Sequence, residues 1–323
     1  MEYKSLGRSG LSVSRLCLGT MNFGWKSDEA ESHAIMDLAH EHGLNFFDTA
    51  DIYYWGEHRG KTEEIIGNWF AQGGVRRERT VLATKVYEPM GEWPNEGRLS
   101  ALHIRRALDA SLRRLKTDYV DLYQFHHIDR ETPWDEIWQA VDVAIQQGKV
   151  LYAGSSNFAG WNLAEAQAAA KAKGMAGLVS EQSLYNLLTR TVELEVIPAA
   201  QRFGIGILPW SPLQGGLLGG IVQAERTGRR RLEGRAAETL EKRRPQIEQY
   251  EALAAELGHK PSNMALAWLL HQPAVTAPVI GPRTTNQLLQ SFSALNLKLD
   301  QQILERLDVI FPGHKPAPED YAW

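Results

Sequence analysis

The chain is short of the features that mark several protein classes. Among its 323 residues there is one cysteine, Cys17, so no internal disulfide can form and a reducing compartment suits it. Cys17 reads as a small buried apolar residue. The opening residues, MEYKSLGRSGLSV, have no apolar core, so no secretory signal is expected. No uninterrupted apolar run is long enough to span a bilayer, and a soluble, cytoplasmic protein is expected. The net charge is only −4, which offers no electrostatic reason to expect nucleic acid or an anionic membrane as partner. The ten histidines are scattered. Neither His40-Glu41-His42 nor His126-His127 stands at ligand spacing with further ligands, so no metal is expected. No G-x-G-x-x-G follows a strand, and the usual dinucleotide fingerprint is missing.

What is present is an ordinary globular composition, 43% hydrophobic and 23% charged. The length would allow two domains, but barrels take this many residues as one, and a single domain over 1–323 is expected. Tyr3-Leu6 and Leu11-Val13 flank Gly7-Gly10 and read as a hairpin. Eight strand candidates follow: Arg15-Gly19, Leu44-Phe47, Thr80-Thr84, Tyr119-Phe125, Val150-Gly154, Leu178-Ser180, Gly206-Pro209 and Val275-Ile280. Amphipathic helical segments alternate with them, at Asp28-His42, Thr62-Ala71, Leu102-Leu115, Trp134-Gln147, Trp161-Ala172, Val192-Phe203, Ser262-His271 and Asn286-Leu295. Gly43, Gly148 and Gly204 sit where a left-handed residue ends a helix. Ser27, Thr132, Ser262 and Thr284 or Thr285 read as N-caps.

Eightfold alternation argues for an α/β fold with parallel pairing, a (β/α)8 TIM barrel with an N-terminal β-hairpin. An open sheet would give a similar string, so alternation alone leaves closure undecided. Two connections are long: Lys85-Leu99 and Gln214-Arg244, the loop after the seventh barrel strand. Both follow strands, which in a barrel puts them on the C-terminal face, where active sites lie.

Four residues stand at or just after strand ends: Asp48 and Tyr53 in FDTADIYY, Lys85 in VLATK and His126 in DLYQFHH. Singly, each fits a structural role as readily as a catalytic one. Together they suit carbonyl reduction. An alkoxide forming under hydride attack needs a proton, and a tyrosine can supply it if a neighbouring ammonium lowers its pKa. Asp48 would orient Lys85, and His126 would hydrogen-bond the substrate oxygen. Asp51, His58 and His127 read as loop or surface residues.

At these residues the chain resembles the aldo-keto reductase family. The matching motifs are FDTADIYY, ATK, DLYQFHH, GSSNF, SEQSLYNLLTR, LPWSPLQGGLLGG and VIGPRTTNQLLQS, in family order across essentially the whole chain. The resemblance implies that Asp48, Tyr53, Lys85 and His126 are catalytic, with Tyr53 as general acid, and that NADPH or NADP+ binds at the barrel mouth. It places Ser156, Asn157 and Gln182 on the nicotinamide carboxamide and Trp210 against the ring. Ser211, Leu213 and Gly215 fall in the pyrophosphate segment. Gly281, Arg283, Gln287 and Ser291 fall around the adenosine 2′-phosphate and adenine, where Arg283 would favour NADP over NAD. The start of the following helix would add N–H groups for the phosphate.

The chain departs from the family pattern at Tyr54-Trp55, where glycine is common, at Ser291, where Asn is common, and at Pro282. The aromatics Trp25, Tyr54, Trp55, Tyr87 and Trp93, with His127, are candidates for the wall around a small-molecule carbonyl substrate. The Arg-rich run Thr227-Arg235 reads as a solvated loop. Two rival readings stand beside the reductase. One is an NADP(H)-sensing regulatory subunit with a vestigial pocket; the other is a barrel lyase or isomerase using Lys85 as a Schiff-base amine.

Overall fold

A computed structural model describes residues 1–53, 58–228 and 232–322. A hairpin opens it: β1 (Tyr3–Ser5) pairs antiparallel with β2 (Ser12–Ser14). The strands that follow are β3 (Cys17–Gly19), β4 (Phe46–Asp48), β5 (Val81–Val86), β6 (Val120–Phe125), β7 (Val150–Ser156), β8 (Leu178–Leu184), β9 (Gly206–Trp210) and β10 (Val279–Ile280). These eight pair in parallel in the order β10-β3-β4-β5-β6-β7-β8-β9. A bridge between Ile207 and Val275 brings the first and last members together, so the sheet curls into the expected barrel.

Helices fill the connections: α1 (Glu29–Glu41), α2 (Lys61–Phe70), α3 (Ala101–Leu115), α4 (Trp134–Gln146), α5 (Gly160–Ala172), α6 (Val196–Phe203), α7 (Ile221–Arg226), α8 (Gly234–Glu256), α9 (Pro261–His271) and α10 (Thr285–Phe292). Then α11 (Gln301–Ile310) and α12 (Ala317–Tyr321) end the fold. No helix among the described residues is long and apolar enough to cross a membrane.

The local chemistry explains most boundaries and corrects some. Gly43, Gly148 and Gly204 adopt φ of 75°, 70° and 66° after α1, α4 and α6, as their positions demand. Asp28, not Ser27, caps α1, accepting from Glu31 N; the Ser27 hydroxyl instead donates to Arg283 O. Thr132 does not cap α4, because its hydroxyl and backbone N–H both donate to Asp129. Lys260, not Ser262, precedes α9, whose first residue is Pro261. Thr284 caps α10 through Gln287 N.

The stretch Gln214-Arg244 is not one irregular loop. It contains α7 and the start of α8, and Leu217, Ile221, Val222 and Leu240, with Ile247 further along α8, build a small core of their own. Charged residues dominate the beginning of α8 and Pro245 interrupts it, which hides its helical periodicity in the sequence. Residues 229–231 of the Arg-rich run lie outside the described residues.

The lumen changes character along its axis. Side chains alternate across a strand, so residues two apart share a face. At the base, Cys17, Phe46, Ala83, Leu122, Leu208 and Ala277 form an apolar layer closed from below by Leu6 and Val13 of the hairpin. The hairpin fits because its turn is glycine: Gly7 has φ 55°, and a Cβ there would lie 2.4 Å from Val179 O and 2.6 Å from Gly204 O. Two residues further up the same strands, Phe46 gives way to Asp48, Ala83 to Lys85, Leu122 to Gln124 and Leu208 to Trp210. An apolar floor therefore carries a polar layer at the C-terminal end.

Candidate active site

Asp48 lies at the centre of the polar layer, at the end of β4 and 2% exposed. Its carboxylate receives four side-chain donors. Lys85 Nζ and Tyr53 OH donate to Oδ2 at 2.6 and 2.9 Å; Gln182 Nε2 and Gln124 Nε2 donate to Oδ1 at 2.8 and 3.0 Å. Lys85 Nζ also donates to Tyr53 OH at 2.8 Å and to Thr49 O at 3.0 Å, so each ammonium hydrogen has an acceptor. The buried pair is thus satisfied on both sides, the condition under which an interior ion pair is tolerated.

Tyr53 is half-buried. Its ring stands edge-on to the His126 imidazole, with centroids 6.2 Å apart and planes at 86°. Burial first, and the Asp48 carboxylate second, push the Tyr53 pKa well above the usual phenol value. The sequence-based expectation was the reverse, a phenol lowered by Lys85. The hydroxyl instead donates to the carboxylate, and removing its proton would put two negative oxygens together. His126 is driven down to about 2, by burial first and then by the charge on Lys85, so its ring is neutral at ordinary pH. Its Nδ1 is buried without a hydrogen-bond partner among the described residues.

The residues assigned to the nicotinamide cluster beside this group. Asn157 has φ 60°, and it joins three strands. Its Oδ1 accepts from Trp210 Nε1 at 3.0 Å, and its Nδ2 donates to His126 O at 3.2 Å and to Ser156 Oγ at 3.1 Å. The Ser156 hydroxyl donates to Gln182 O at 2.8 Å, and the Gln182 amide nitrogen is committed to Asp48. After β9 the backbone turns sharply. Ser211, Gln214, Gly215 and Gly216 all take positive φ, and Leu213 packs its side chain against the core.

On the far side of the mouth, Asn22 Nδ2 donates to Gly281 O, and Arg283 N donates to Gln287 Oε1 at 2.8 Å. Ser291 sits one turn on, its hydroxyl donating to Gln287 O. Arg283 is exposed, and no ion pair holds its guanidinium among the described residues. The α10 start is less open than expected, because Thr285 N already donates to Glu31 Oε1 at 2.8 Å.

The aromatic residues assigned to a substrate wall do not all gather. Tyr87 and His127 meet edge-to-face at 5.4 Å, and His127 stacks on His126 at 5.3 Å, with Glu88 Oε1 at 3.3 Å from its Nε2. Tyr87 and His127 line a cavity of about 400 Å³ with Arg98, Ile128, Arg130 and Glu131. Trp93 is 80% exposed and Trp25 53%, with Lys26 Nζ over its ring. Tyr54 and Trp55 lie outside the described residues.

Three polar residues escaped the sequence reading. Gln124 carried a signal, since it stands two residues before His126 on one strand and so shares its face. Glu181 carried none, because alternation with Gln182 points it out of the lumen. Asp51, which reads as a loop or surface residue, is fully buried; burial and the charge on Glu63 push its pKa well up.

The chemistry of the donor set fits a nicotinamide dinucleotide. There is an indole held by Asn157, an uncommitted guanidinium across the mouth, and a turn of consecutive positive-φ residues whose Gly215 would leave a Cβ in open space.

Comparison with known proteins agrees. The family model described as "Aldo/keto reductase family" matches residues 15–311. The chain is 55% identical to the uncharacterized oxidoreductase YrpG of Bacillus subtilis (strain 168), over 100% of both chains. It is 33% identical to the versiconal hemiacetal acetate reductase of Aspergillus parasiticus, over 98% of this chain and 100% of the relative. It is 32% identical to a probable voltage-gated potassium channel subunit beta of Oryza sativa subsp. japonica, over 99% of this chain and 100% of the relative. The chain belongs to the aldo/keto reductase family, a family of carbonyl-reducing oxidoreductases that use nicotinamide cofactors.

Proposed function

We propose that the whole chain works as one barrel domain that binds NADPH and reduces an aldehyde or ketone to the alcohol. The observation that carries this reading is the convergence of Asp48, Lys85, Tyr53 and His126 at one end of the lumen, with a phenol hydroxyl as its outermost proton. Bound at the mouth, the dihydronicotinamide supplies the hydride.

The side chains account for the proton. The Tyr53 hydroxyl donates to the carbonyl oxygen as negative charge develops there. Burial and Asp48 keep that phenol protonated until a stronger acceptor arrives. The phenolate left behind faces Lys85 Nζ, 2.8 Å away, which stabilises it. Neutral His126 offers a ring N–H to the same substrate oxygen without competing for the proton. Gln124 and Gln182 hold the second Asp48 oxygen, so Asp48 keeps Lys85 aimed at Tyr53.

Ser156, Asn157, Gln182 and Trp210 would hold the nicotinamide, and Ser211, Leu213 and Gly215 the pyrophosphate. Gly281, Arg283, Gln287 and Ser291 would hold the adenosine end, with Arg283 on the 2′-phosphate. Tyr87 and His127 are the described residues best placed to contact substrate, lining a cavity next to His126.

Schiff-base chemistry fits poorly. An attacking amine needs a free lone pair, and the three hydrogens of the Lys85 ammonium each meet an acceptor. A cofactor-sensing subunit is the second reading, supported by the likeness to the rice channel subunit.

The deciding experiment follows NADPH absorbance with a panel of aldehydes, aryl ketones and keto-sugars. Wild type should oxidise NADPH, and Tyr53→Phe should lower kcat by ~10²–10⁴-fold with NADPH affinity largely kept. Tight NADPH binding with no turnover on any carbonyl would favour the sensing subunit instead.

A further inference from the structure

Glu181 is a fully buried carboxyl that the proposed chemistry does not use. It lies on β8 between Ser180 and Gln182, and its side chain points away from the lumen. Ser183 Oγ and Phe158 N donate to its Oε1 at 2.6 and 3.1 Å, and Ser155 Oγ donates to its Oε2 at 2.5 Å. Two of these three donors, Ser155 and Phe158, flank Ser156 and Asn157. Asn157 has left-handed φ and ties Trp210 to the His126 carbonyl. The backbone of β8 reinforces the same turn, because Asn157 N donates to Gln182 O at 3.1 Å.

We propose that Glu181 is a positioning residue for the cofactor face: by clamping both sides of Asn157 it sets where Trp210 and His126 stand. The inference rests on the proposed function, since it assigns Glu181 to the site where nicotinamide would bind. A shift of the 155–158 turn would move the Asn157 amide, and with it the indole and the His126 carbonyl. Glu181 would thereby act on cofactor affinity without touching the cofactor.

The protonation state of Glu181 matters to the clamp. All three partners are donors, which suits a carboxylate; a protonated carboxyl has a hydrogen of its own to place, and one hydroxyl must turn away. Burial raises this carboxyl to about 7, against the hydrogen bonds that lower it. Among the described residues, no charged side chain of the packed elements stands among the causes of that shift. Strands β7 and β9 carry none; on α5, Glu165 is in the exposed partner position of Trp134 and Lys171 is exposed; on α6, Arg202 is exposed. Asp48, Lys85 and His126 lie on the lumen side of the sheet.

The test titrates NADPH into wild type, Glu181→Gln and Glu181→Ala at pH 6 and pH 8, following quenching of protein fluorescence with no substrate present. Steady-state kinetics then separate KM for NADPH from kcat. Glu181→Ala should weaken NADPH binding about tenfold, with KM rising in parallel and kcat at saturating NADPH changing far less. Glu181→Gln should restore most of the affinity at pH 6, where the wild-type carboxyl is itself protonated, and fall behind wild type at pH 8. The 2′-phosphate titrates equally with both proteins, so the difference between them isolates Glu181. If Glu181→Ala does not fold, the glutamine comparison decides alone. Wild-type affinity in both variants at both pH values would overturn the proposal, as would a lowered Tm with an unchanged dissociation constant. A wild type that binds no dinucleotide would overturn this proposal and the proposed function together; a wild type that binds, with indifferent variants, overturns this proposal only.

Discussion

Thr84 and Lys85 are neighbours on β5, yet they serve two different buried charge systems. Lys85 points into the lumen, where it meets Asp48 and Tyr53. Thr84 points outward and donates to Glu63 Oε1 at 2.6 Å, and Arg114 Nε donates to Glu63 Oε2 at 2.7 Å. Both systems contain a fully buried carboxylate, a cation and a hydroxyl at hydrogen-bond distance. In the wall the hydroxyl is a threonine that ties strand to helix. At the mouth it is a phenol, half-buried, with a neutral imidazole beside it. A buried ion pair is therefore no sign of chemistry; the sign is a transferable proton held at its outer edge.

The largest effect expected is on the lumen side. Lys85→Met should lower kcat by ~10²–10⁴-fold, because Tyr53 loses the charge that stabilises its phenolate. Arg114→Met should do something different. It leaves the Glu63 carboxylate buried without its ion pair, costing about 3–5 kcal/mol of stability by denaturant unfolding while kcat per folded molecule stays near wild type. If Arg114→Met cut kcat as deeply as Lys85→Met, the two systems would not be separate. Arg283 is a third kind of cation, exposed and without an ion pair among the described residues. Arg283→Ala should raise the dissociation constant for NADPH by ~10–100-fold, the weight of a charged hydrogen bond, and that for NADH little. Equal losses for both would take the 2′-phosphate away from it.

The smallest effects are pH-dependent, and they cut from opposite sides. Asp51 is fully buried, and burial first, then the charge on Glu63, holds its pKa well above the usual carboxylate value. Its folded form keeps a proton that the unfolded chain releases, so stability is lost as pH rises above ~4. His126 is the reverse: the unfolded chain binds a proton below pH ~6.5 that the folded ring refuses until about 2, so stability is lost as pH falls through that window. Melting curves should show Asp51→Asn gaining on wild type by a few degrees towards pH 8, and His126→Gln gaining towards pH 4. Differences that stay flat with pH would mean that neither group carries the burdens described.

Most of the barrel was legible because its period-2 and period-3.6 patterns are clean. Every predicted strand from Arg15-Gly19 to Val275-Ile280 overlaps an observed one. The four residues at strand ends were legible for the same reason, since the C-terminal ends of barrel strands converge on one mouth. What escaped depended on direction or neighbours. Asp51 looks like a loop aspartate in FDTADIYY, and only tertiary packing over α2 buries it. Glu181 is invisible beside Gln182, because its work is done on the outer face of the strand. Helix α8 was read as loop at its start because arginine, glutamate and Pro245 mask any apolar stripe. The direction of the Tyr53 shift was misjudged because spacing shows that Lys85 is near, but not that the phenol donates to Asp48.

The barrel's ring has one thin place. Strand β10 is two residues long, and among the described residues the ring closes toward β9 through the Ile207–Val275 bridge, just ahead of β10. Long side chains from the residues ahead of β3 hold the segment that leads into β10. Lys4 Nζ donates to Pro273 O and Val275 O, and Arg15 donates to the carbonyls of Leu270, Val275 and Thr276. Lys4 and Arg15 thus reach carbonyls 255 to 271 residues away, so these contacts close loops that enclose most of the barrel. These contacts lace together segments that are far apart in sequence and meet only in the folded barrel. Amide hydrogens around residues 274–280 should be the first of the barrel's to exchange when that lacing is cut.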